Sequence, residues 1–264
     1  MLLDQIVANK RAEIERLPGA DSYPDKIDSQ SDRASLKEAL LKAESKEDGI
    51  GIIAEIKPAS PSAGVFPDSL GLDERLSRYN DHACAISVLT DTSYFGGSLE
   101  LLGRVAARSD RPVLLKDFVL DRKQIALARK FGASAVLLIV KILSPALLRD
   151  LIDACQALGL EPLVEINDRR ELAVATSAGA ELILINNRNL ETMVVDRGTT
   201  LSLAPLLAPG QTGISASGIE SPEHIEELRG AARHFLIGSA LMRSADPGAL
   251  LAELKNRRYC HAPA

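Results

Sequence analysis

The sequence predicts an α/β protein, an eight-stranded parallel barrel of the (β/α)8 type preceded by an N-terminal helical extension. Three observations carry this. Short runs rich in β-branched and aliphatic residues recur roughly every 20 to 35 residues from residue 51 onward. A stretch of helical periodicity follows each run, as repeated βα units require. The length, 264 residues with 46% hydrophobic content, supplies one barrel with a large core. An open doubly wound sheet would show a G-x-G-x-x-G turn after its first strand, and none is present.

The first element is a helix. "MLLDQIVANKRAEIERL" places Leu2, Leu3, Ile6, Val7, Ile14 and Leu17 near one stripe. Charge interrupts the stripe, so it reads as an amphipathic helix lying on the main domain and not as an anchor. A polar, irregular region runs from about Asp21 to Asp48, apart from "SLKEALLKA", which has helical character. The strand runs then follow: "GIIAEIK" (51–57), "CAISVLT" (84–90), "PVLLKDF" (112–118), "SAVLLIV" (134–140), "EPLVEI" (161–166), "ELILINN" (181–187), "TGISAS" (212–217) and "HFLIGS" (234–239). Helical pieces lie between them. In "SPALLRDLIDACQALG" Pro145 suits a first turn and Gly159 a C-terminal cap. Pro and Gly are scattered at turns and no linker divides the chain, so one domain is expected over 1–264. It comprises an extension (1–48), the TIM barrel (49–256) and a tail (257–264).

Composition excludes several function classes. The net charge is −5 and no Lys/Arg block is interleaved with aromatics, so no nucleic-acid partner is expected. Acid and base stand in the first turns, unlike a signal peptide, and no run approaches a membrane-spanning length. Cys84, Cys155 and Cys260 are odd in number and widely separated, as reduced cytosolic thiols are. A cytoplasmic location follows. His82, His224, His234 and His261 form no metal-ligand spacing, and no G-x-S-x-G elbow appears, so neither zinc nor acyl-transfer chemistry is expected. The outer helices show no apolar stripe separable from the core stripe, consistent with a monomer or a weak homo-oligomer.

Active sites of parallel barrels form at the C-terminal ends of the strands. The polar residues there are Glu55 and Lys57, Thr90 and Asp91, Lys116 and Asp117, Glu165 and Asn167, Asn186, Asn187 and Arg188, Ser215 and Ser217, and Gly238 and Ser239. Burying such groups costs several kcal/mol each unless they are paired, so a barrel seldom carries them all for structure alone. Strand alternation puts Glu55 and Lys57 on the face of Ile53, with Ala54 and Ile56 facing away. Neighbours in a strand point apart, so Lys116 is not expected to pair with Asp117. Asn186 and Arg188 share a face, and an arginine fork suits a carboxylate. The last two strands end in "SASGIESPEHI" and "LIGSALMRSADP", glycine-bearing turns into helices whose backbone N–H groups favour an anion. A phosphorylated small molecule is the expected ligand, handled by lysine and glutamate acid–base chemistry without a metal or cofactor.

The strings "AEIKPASPSAG", "ISVLTDTSYFGGS", "VLLKDF", "LVEIND", "INNRNLET" and "SASGI" followed by "LIGSALMR" resemble the indole-3-glycerol phosphate synthase family of the tryptophan pathway. The similarity spans nearly the whole chain, including "LDQIVANKRAEI". It implies a metal-free enzyme that closes the pyrrole ring of 1-(2-carboxyphenylamino)-1-deoxyribulose 5-phosphate with loss of carbon dioxide and water. By that resemblance Lys116 is the general acid at the ketone and Glu165 the partner acid–base residue of the dehydration. Lys57 contacts the carboxylate and the phosphate, and Glu55 orients it. Asn186 and Arg188 bind the anthranilate end and support Glu165. Ser60, Ser217, Gly218, Gly238 and Ser239 hold phosphate or nearby groups, with Phe118 and Leu137 as further substrate contacts.

The chain departs from the family pattern at several positions. Ala216 stands where a glutamate usually reaches into the site, Thr92 and Ser93 where a Glu-Lys pair is common, Leu184 where glycine is common, and Met193 where phenylalanine or leucine is frequent. Losing the carboxylate at 216 leaves one of the lysines less firmly oriented. Other readings stay open from the residues: a diverged paralogue acting on a substituted anthranilate adduct, a non-catalytic phosphate-ligand barrel, and a Schiff-base aldolase using Lys57 or Lys116.

Overall fold

The computed structural model describes residues 2–18, 34–46, 49–66 and 70–255. Eight parallel strands close a barrel: β1 (Gly51–Ile56), β4 (Ala85–Leu89), β5 (Val113–Lys116), β6 (Ala135–Ile139), β7 (Glu161–Ile166), β8 (Leu182–Asn186), β9 (Thr212–Ala216) and β10 (His234–Ile237). Each lies inside one of the eight predicted runs. Closure falls at β1, where Ile53 is in register with Ala85 on one side and Leu236 on the other. Directly after β1, β2 (Ala59–Ser60) and β3 (Gly64–Val65) form a short antiparallel hairpin.

The helices are α1 (Leu2–Arg16), α2 (Leu36–Glu44), α3 (Gly71–His82), α4 (Thr92–Phe95), α5 (Leu99–Ala106), α6 (Arg122–Lys130), α7 (Pro145–Ala157), α8 (Arg169–Ser177), α9 (Gly198–Leu203), α10 (Pro222–Leu228), α11 (Ser239–Arg243) and α12 (Pro247–Lys255). In α7, Pro145 occupies the first turn and Gly159 follows the end at φ 66°, as the sequence predicts. Because strand side chains alternate, two apolar layers result. Ile53, Leu114, Leu137, Leu163, Leu184 and Ile214 fill the barrel interior. Ile52, Ala54, Ile56, Val88, Val136 and Leu138 pack outward against the helices. Such parallel strands are buried on both faces, which explains their near-continuous apolar runs. Each fully buried aliphatic side chain contributes about 1.5 to 3 kcal/mol.

The N-terminal extension closes the barrel at both ends. At the N-terminal end of the strands, the Glu161 carboxylate at the start of β7 receives the backbone N–H groups of Leu36 and Lys37 and the Ser35 hydroxyl. An anion at a helix N-terminus is stabilising, and it pins α2 there. Gly51 leaves room for this packing: a Cβ there would sit 2.8 Å from His234 Cδ2 and 3.3 Å from Leu40 Cδ2. At the opposite end α1 lies across the mouth, with Leu3 and Ile6 in the interior apolar cluster. Most of the polar stretch 21–48 and the tail with Cys260 and His261 lie outside the described residues.

Lys10 fastens α1. It is 1% exposed, and its Nζ lies 2.9 Å from Asp91 Oδ2, 2.9 Å from Asp117 Oδ1 and 2.8 Å from Glu13 Oε2. Asp91 follows β4 and Asp117 ends the run of β5, so one ammonium ties the helix to two adjacent strands. Burial acts to lower the Lys10 pKa, but Asp117, Glu13 and Asp91 outweigh it and hold the ammonium above its ordinary range. Its contribution to stability is therefore complete below the ordinary lysine value and declines only at more alkaline pH. Lys10→Ala strands two carboxylates and is expected to cost about 3 to 5 kcal/mol. Urea unfolding of the two proteins checks this, and a midpoint equal to the parent's would contradict it.

Candidate active site

The side chain of Glu55, the inward-facing residue near the end of β1, is buried at 3% exposure and serves two lysines. Its Oε1 lies 2.7 Å from Lys57 Nζ and its Oε2 3.7 Å from Lys116 Nζ. Burial acts to raise the Glu55 carboxyl, yet the two ammonium groups together hold it below its usual value. Glu55 is thus a fixed anion. Lys57 also donates to Ser239 Oγ at 3.3 Å and stands 5.6 Å from the centre of the Phe66 ring.

The second group is built on β7, β8 and the turn after β9. Ser217 Oγ–H donates to Asn186 Oδ1 at 2.9 Å, and the backbone N–H of Arg188 donates to the same oxygen at 3.0 Å. This fixes the amide, so Asn186 Nδ2 faces Glu165 and donates to its Oε1 at 2.9 Å. Asn167 Nδ2 steadies the strand end by donating to Asn186 O at 2.7 Å. Burial raises the Glu165 pKa, only partly offset by Lys116 and the Asn186 hydrogen bond. Two carboxylates in one cavity are therefore driven in opposite directions, which is how an acid–base pair is tuned.

A rim of glycine-bearing turns lies beside them. Ser217 and Gly218 are successive left-handed residues, at φ 71° and 76°. For serine that conformation costs about 1 to 3 kcal/mol, and hydrogen bonds from Asn187 Nδ2 to Ser217 O and from Ser217 Oγ to Asn186 hold it. Across the rim, Gly238 caps α11 against Glu55: a Cβ on Gly238 would fall 2.0 Å from Glu55 Oε1 and 3.1 Å from Lys57 Nζ. Glu55, Lys57, Ser60, Lys116, Phe118, Glu165, Asn186, Arg188, Ser217, Gly218, Gly238 and Ser239 all line one cavity of about 430 Å³.

Leu137 does not. It is 1% exposed in the barrel interior, one layer below, and Ile139, two residues on and on the same face, lines the cavity in its place. Thr90 and Asp117 bond to each other and, with Asp91, serve Lys10. Asn187 and Ser215 join Thr200 in a buried network beneath the rim. Sequence reasoning missed Leu2, Leu3 and Ile6 of α1, which form one apolar wall, and Arg197, which donates to Gly218 O at 3.3 Å. The apolar stripe of α1 was visible, but nothing in it told which part of the barrel it covers. Burial pushes the thiols of Cys84 and Cys155 up to about 11 and about 12, away from nucleophilic use.

Fold and site define a class: a (β/α)8-barrel enzyme with a lysine–carboxylate centre beside a rim of glycine-bearing turns. The sequence profile of indole-3-glycerol phosphate synthase matches residues 3–254. The indole-3-glycerol phosphate synthase of Syntrophobacter fumaroxidans is 40% identical over 257 residues, 96% of each chain. That of Carboxydothermus hydrogenoformans is 46% identical over 223 residues, 83% of this chain and 84% of the relative. Among solved structures, 3-hexulose-6-phosphate synthase from Salmonella typhimurium superposes with a TM-score of 0.62 at 14% identity, covering 78% of this chain and 97% of that one. A mutant tryptophan synthase alpha-subunit from Pyrococcus furiosus gives 0.59 at 14%, covering 77% and 97%. These two share the fold. The chain belongs to the indole-3-glycerol phosphate synthase family, decarboxylating lyases of tryptophan biosynthesis.

Gly238→Ala forces a methyl group onto the Glu55 carboxylate and is expected to lower kcat/KM by on the order of a hundredfold, comparable to losing a preorganised electrostatic contact. The check is steady-state kinetics beside a thermal unfolding curve, with the midpoint lowered as well because the displaced carboxylate is buried; a parent-like kcat/KM would contradict it.

Proposed function

We propose that this cavity binds 1-(2-carboxyphenylamino)-1-deoxyribulose 5-phosphate and turns it into indole-3-glycerol phosphate, carbon dioxide and water. The observation that carries the reading is Glu55 holding Lys57 and Lys116 at one cavity wall while Asn186 holds Glu165 at another. The phosphate sits at the Ser217–Gly218 and Gly238–Ser239 turns, with Lys57 beside it and Ser60 on the hairpin. The aromatic ring lies against Phe118, Ile139 and the leucines of α1. Arg188, whose Nη1 donates to Met193 O at 3.0 Å, directs its remaining donors to the anthranilate carboxylate.

Attack of the ring carbon on the ketone forms a carbon–carbon bond and puts negative charge on oxygen. Lys116 stabilises that charge and delivers a proton. The carboxylate then leaves as carbon dioxide, its bonding electrons restoring the aromatic ring. In the last step a lysine protonates the hydroxyl, which departs as water. Glu165 removes the proton from the adjacent carbon, forming the pyrrole double bond. Lys57 and Glu55 keep the ketone end and the phosphate in register with Lys116. We place the activity in the cytoplasm: no helix among the described residues is long and apolar enough to cross a membrane, and the relatives' biosynthetic role fits there. The extension and barrel act as one domain, because α1 supplies part of the cavity wall.

Incubation with this substrate, followed by fluorescence of the indole product, tests the reading. Lys116→Ala is expected to reduce kcat by about 10² to 10⁴, the usual worth of a general acid; undiminished turnover would remove Lys116 from the mechanism. The raised Glu165 carboxyl places the acid limb of kcat/KM above the ordinary carboxylate range, since activity falls as pH drops through that value and the base is protonated. In Glu165→Gln, which keeps an acceptor for Asn186, this limb should vanish with the residual rate low. Ala216 lines the cavity at 4% exposure. Ala216→Glu returns a second carboxylate to the lysines and is expected to raise kcat by about tenfold; an unchanged rate would show that Glu55 alone suffices.

A further inference from the structure

We propose that a second, smaller cavity adjoining Glu165 holds one water molecule through which protons re-enter the active site while substrate fills the mouth. The proposal rests on the reaction assigned above and adds Glu171 as a residue that acts through Glu165. The cavity measures about 10 Å³, roughly the space of a single water probe. Glu165 lines both cavities, and Asn167, Glu171, Asn189 and Lys141 supply the polar lining of the small one. A water there has the several partners such a site needs.

The chemistry requires a supply. Ring closure puts one proton on the ketone oxygen and dehydration puts a second on the leaving hydroxyl. The ring carbon returns only one, to Glu165, and carbon dioxide leaves without taking any. Each turnover therefore draws one proton from solvent. The mouth is walled by α1 and occupied by substrate and then product, whereas the small cavity has Lys141 in its lining, a side chain 35% exposed and paired with Glu191 at 3.0 Å.

The partners are poised for exchange. Asn186 occupies Glu165 Oε1, which leaves Oε2 for a second contact. Glu171 is 8% exposed and accepts the Asn167 N–H at Oε2, 2.7 Å, as a helix-capping residue would. Burial raises the pKa of both carboxyls. The charged groups facing Glu171 are Asp168, Lys141 and Glu165, and those facing Glu165 are Lys116, Glu55 and Glu171. A proton on Glu171 passes to the water, the water gives one of its own to Glu165, and Glu165 passes its proton to the spent lysine. Solvent at Lys141 then reprotonates Glu171.

Glu171→Gln separates this role from capping, because the amide oxygen still accepts from Asn167 while the carboxyl proton is lost. Glu171→Gln should unfold at the parent temperature and keep KM within about twofold, lower kcat by on the order of tenfold, and increase the solvent deuterium isotope effect on kcat. Lys141→Met, at an exposed position, blocks the outer end with an apolar chain and should raise the same isotope effect. Parent-like kcat and isotope effect in both variants overturn the relay, as does equal loss in Glu171→Gln and Glu171→Ala accompanied by a lowered unfolding temperature. A parent protein that leaves the substrate unchanged would instead sink the assigned reaction, and the relay with it.

Discussion

One carboxylate shared between two ammonium groups governs the active site. Glu55 stays charged inside a barrel because Lys57 and Lys116 repay its desolvation, and the lysines keep their positions because Glu55 is charged. Neither half of this arrangement is stable alone, since a buried charge without its partner costs several kcal/mol. Neighbouring positions conform to it. Gly238 has no side chain because any atom there would meet Glu55 Oε1, and the hydroxyl of Tyr79, buried beneath β1, donates to Glu55 O at 3.3 Å and steadies the strand that carries it. With Ala216 at the end of β9, two strands from β1, the burden falls on this single anion.

The opposing carboxylate is treated in the reverse way. Glu165 has a neutral amide for its nearest partner, so burial dominates and its proton is held more tightly. The orientation of that amide is set twice over, by Ser217 and by the backbone of Arg188. A turn in a costly conformation thereby acts on the acid–base group two strands away. The extension contributes in a different manner, closing one end of the barrel with α2 and walling the other with α1, so that the cavity is not a property of the barrel by itself.

Much of this was legible in the sequence. The eight runs predicted eight strands because a parallel barrel strand is buried on both faces and leaves an uninterrupted apolar signature. Period-two alternation placed Glu55 and Lys57 with Ile53 inside. The failures share a cause. Leu137 and Ile139 alternate alike, and which of them reaches the cavity depends on how deep the strand sits along the barrel axis, a quantity that periodicity does not contain. Thr90, Asp91 and Asp117 end their strands as Lys116 does, but beyond the last ladder bond the chain is free to turn, and here it turns toward a helix. Lys10 looked like an interruption of an apolar stripe because its partners lie far downstream.

That dependence bears on the order in which the molecule assembles. Helix α1 is made before the strands whose ends carry its anchoring aspartates, and burying its ammonium without those anions costs several kcal/mol. The helix therefore settles once β4 and β5 present Asp91 and Asp117, so one wall of the cavity waits on strands made after it.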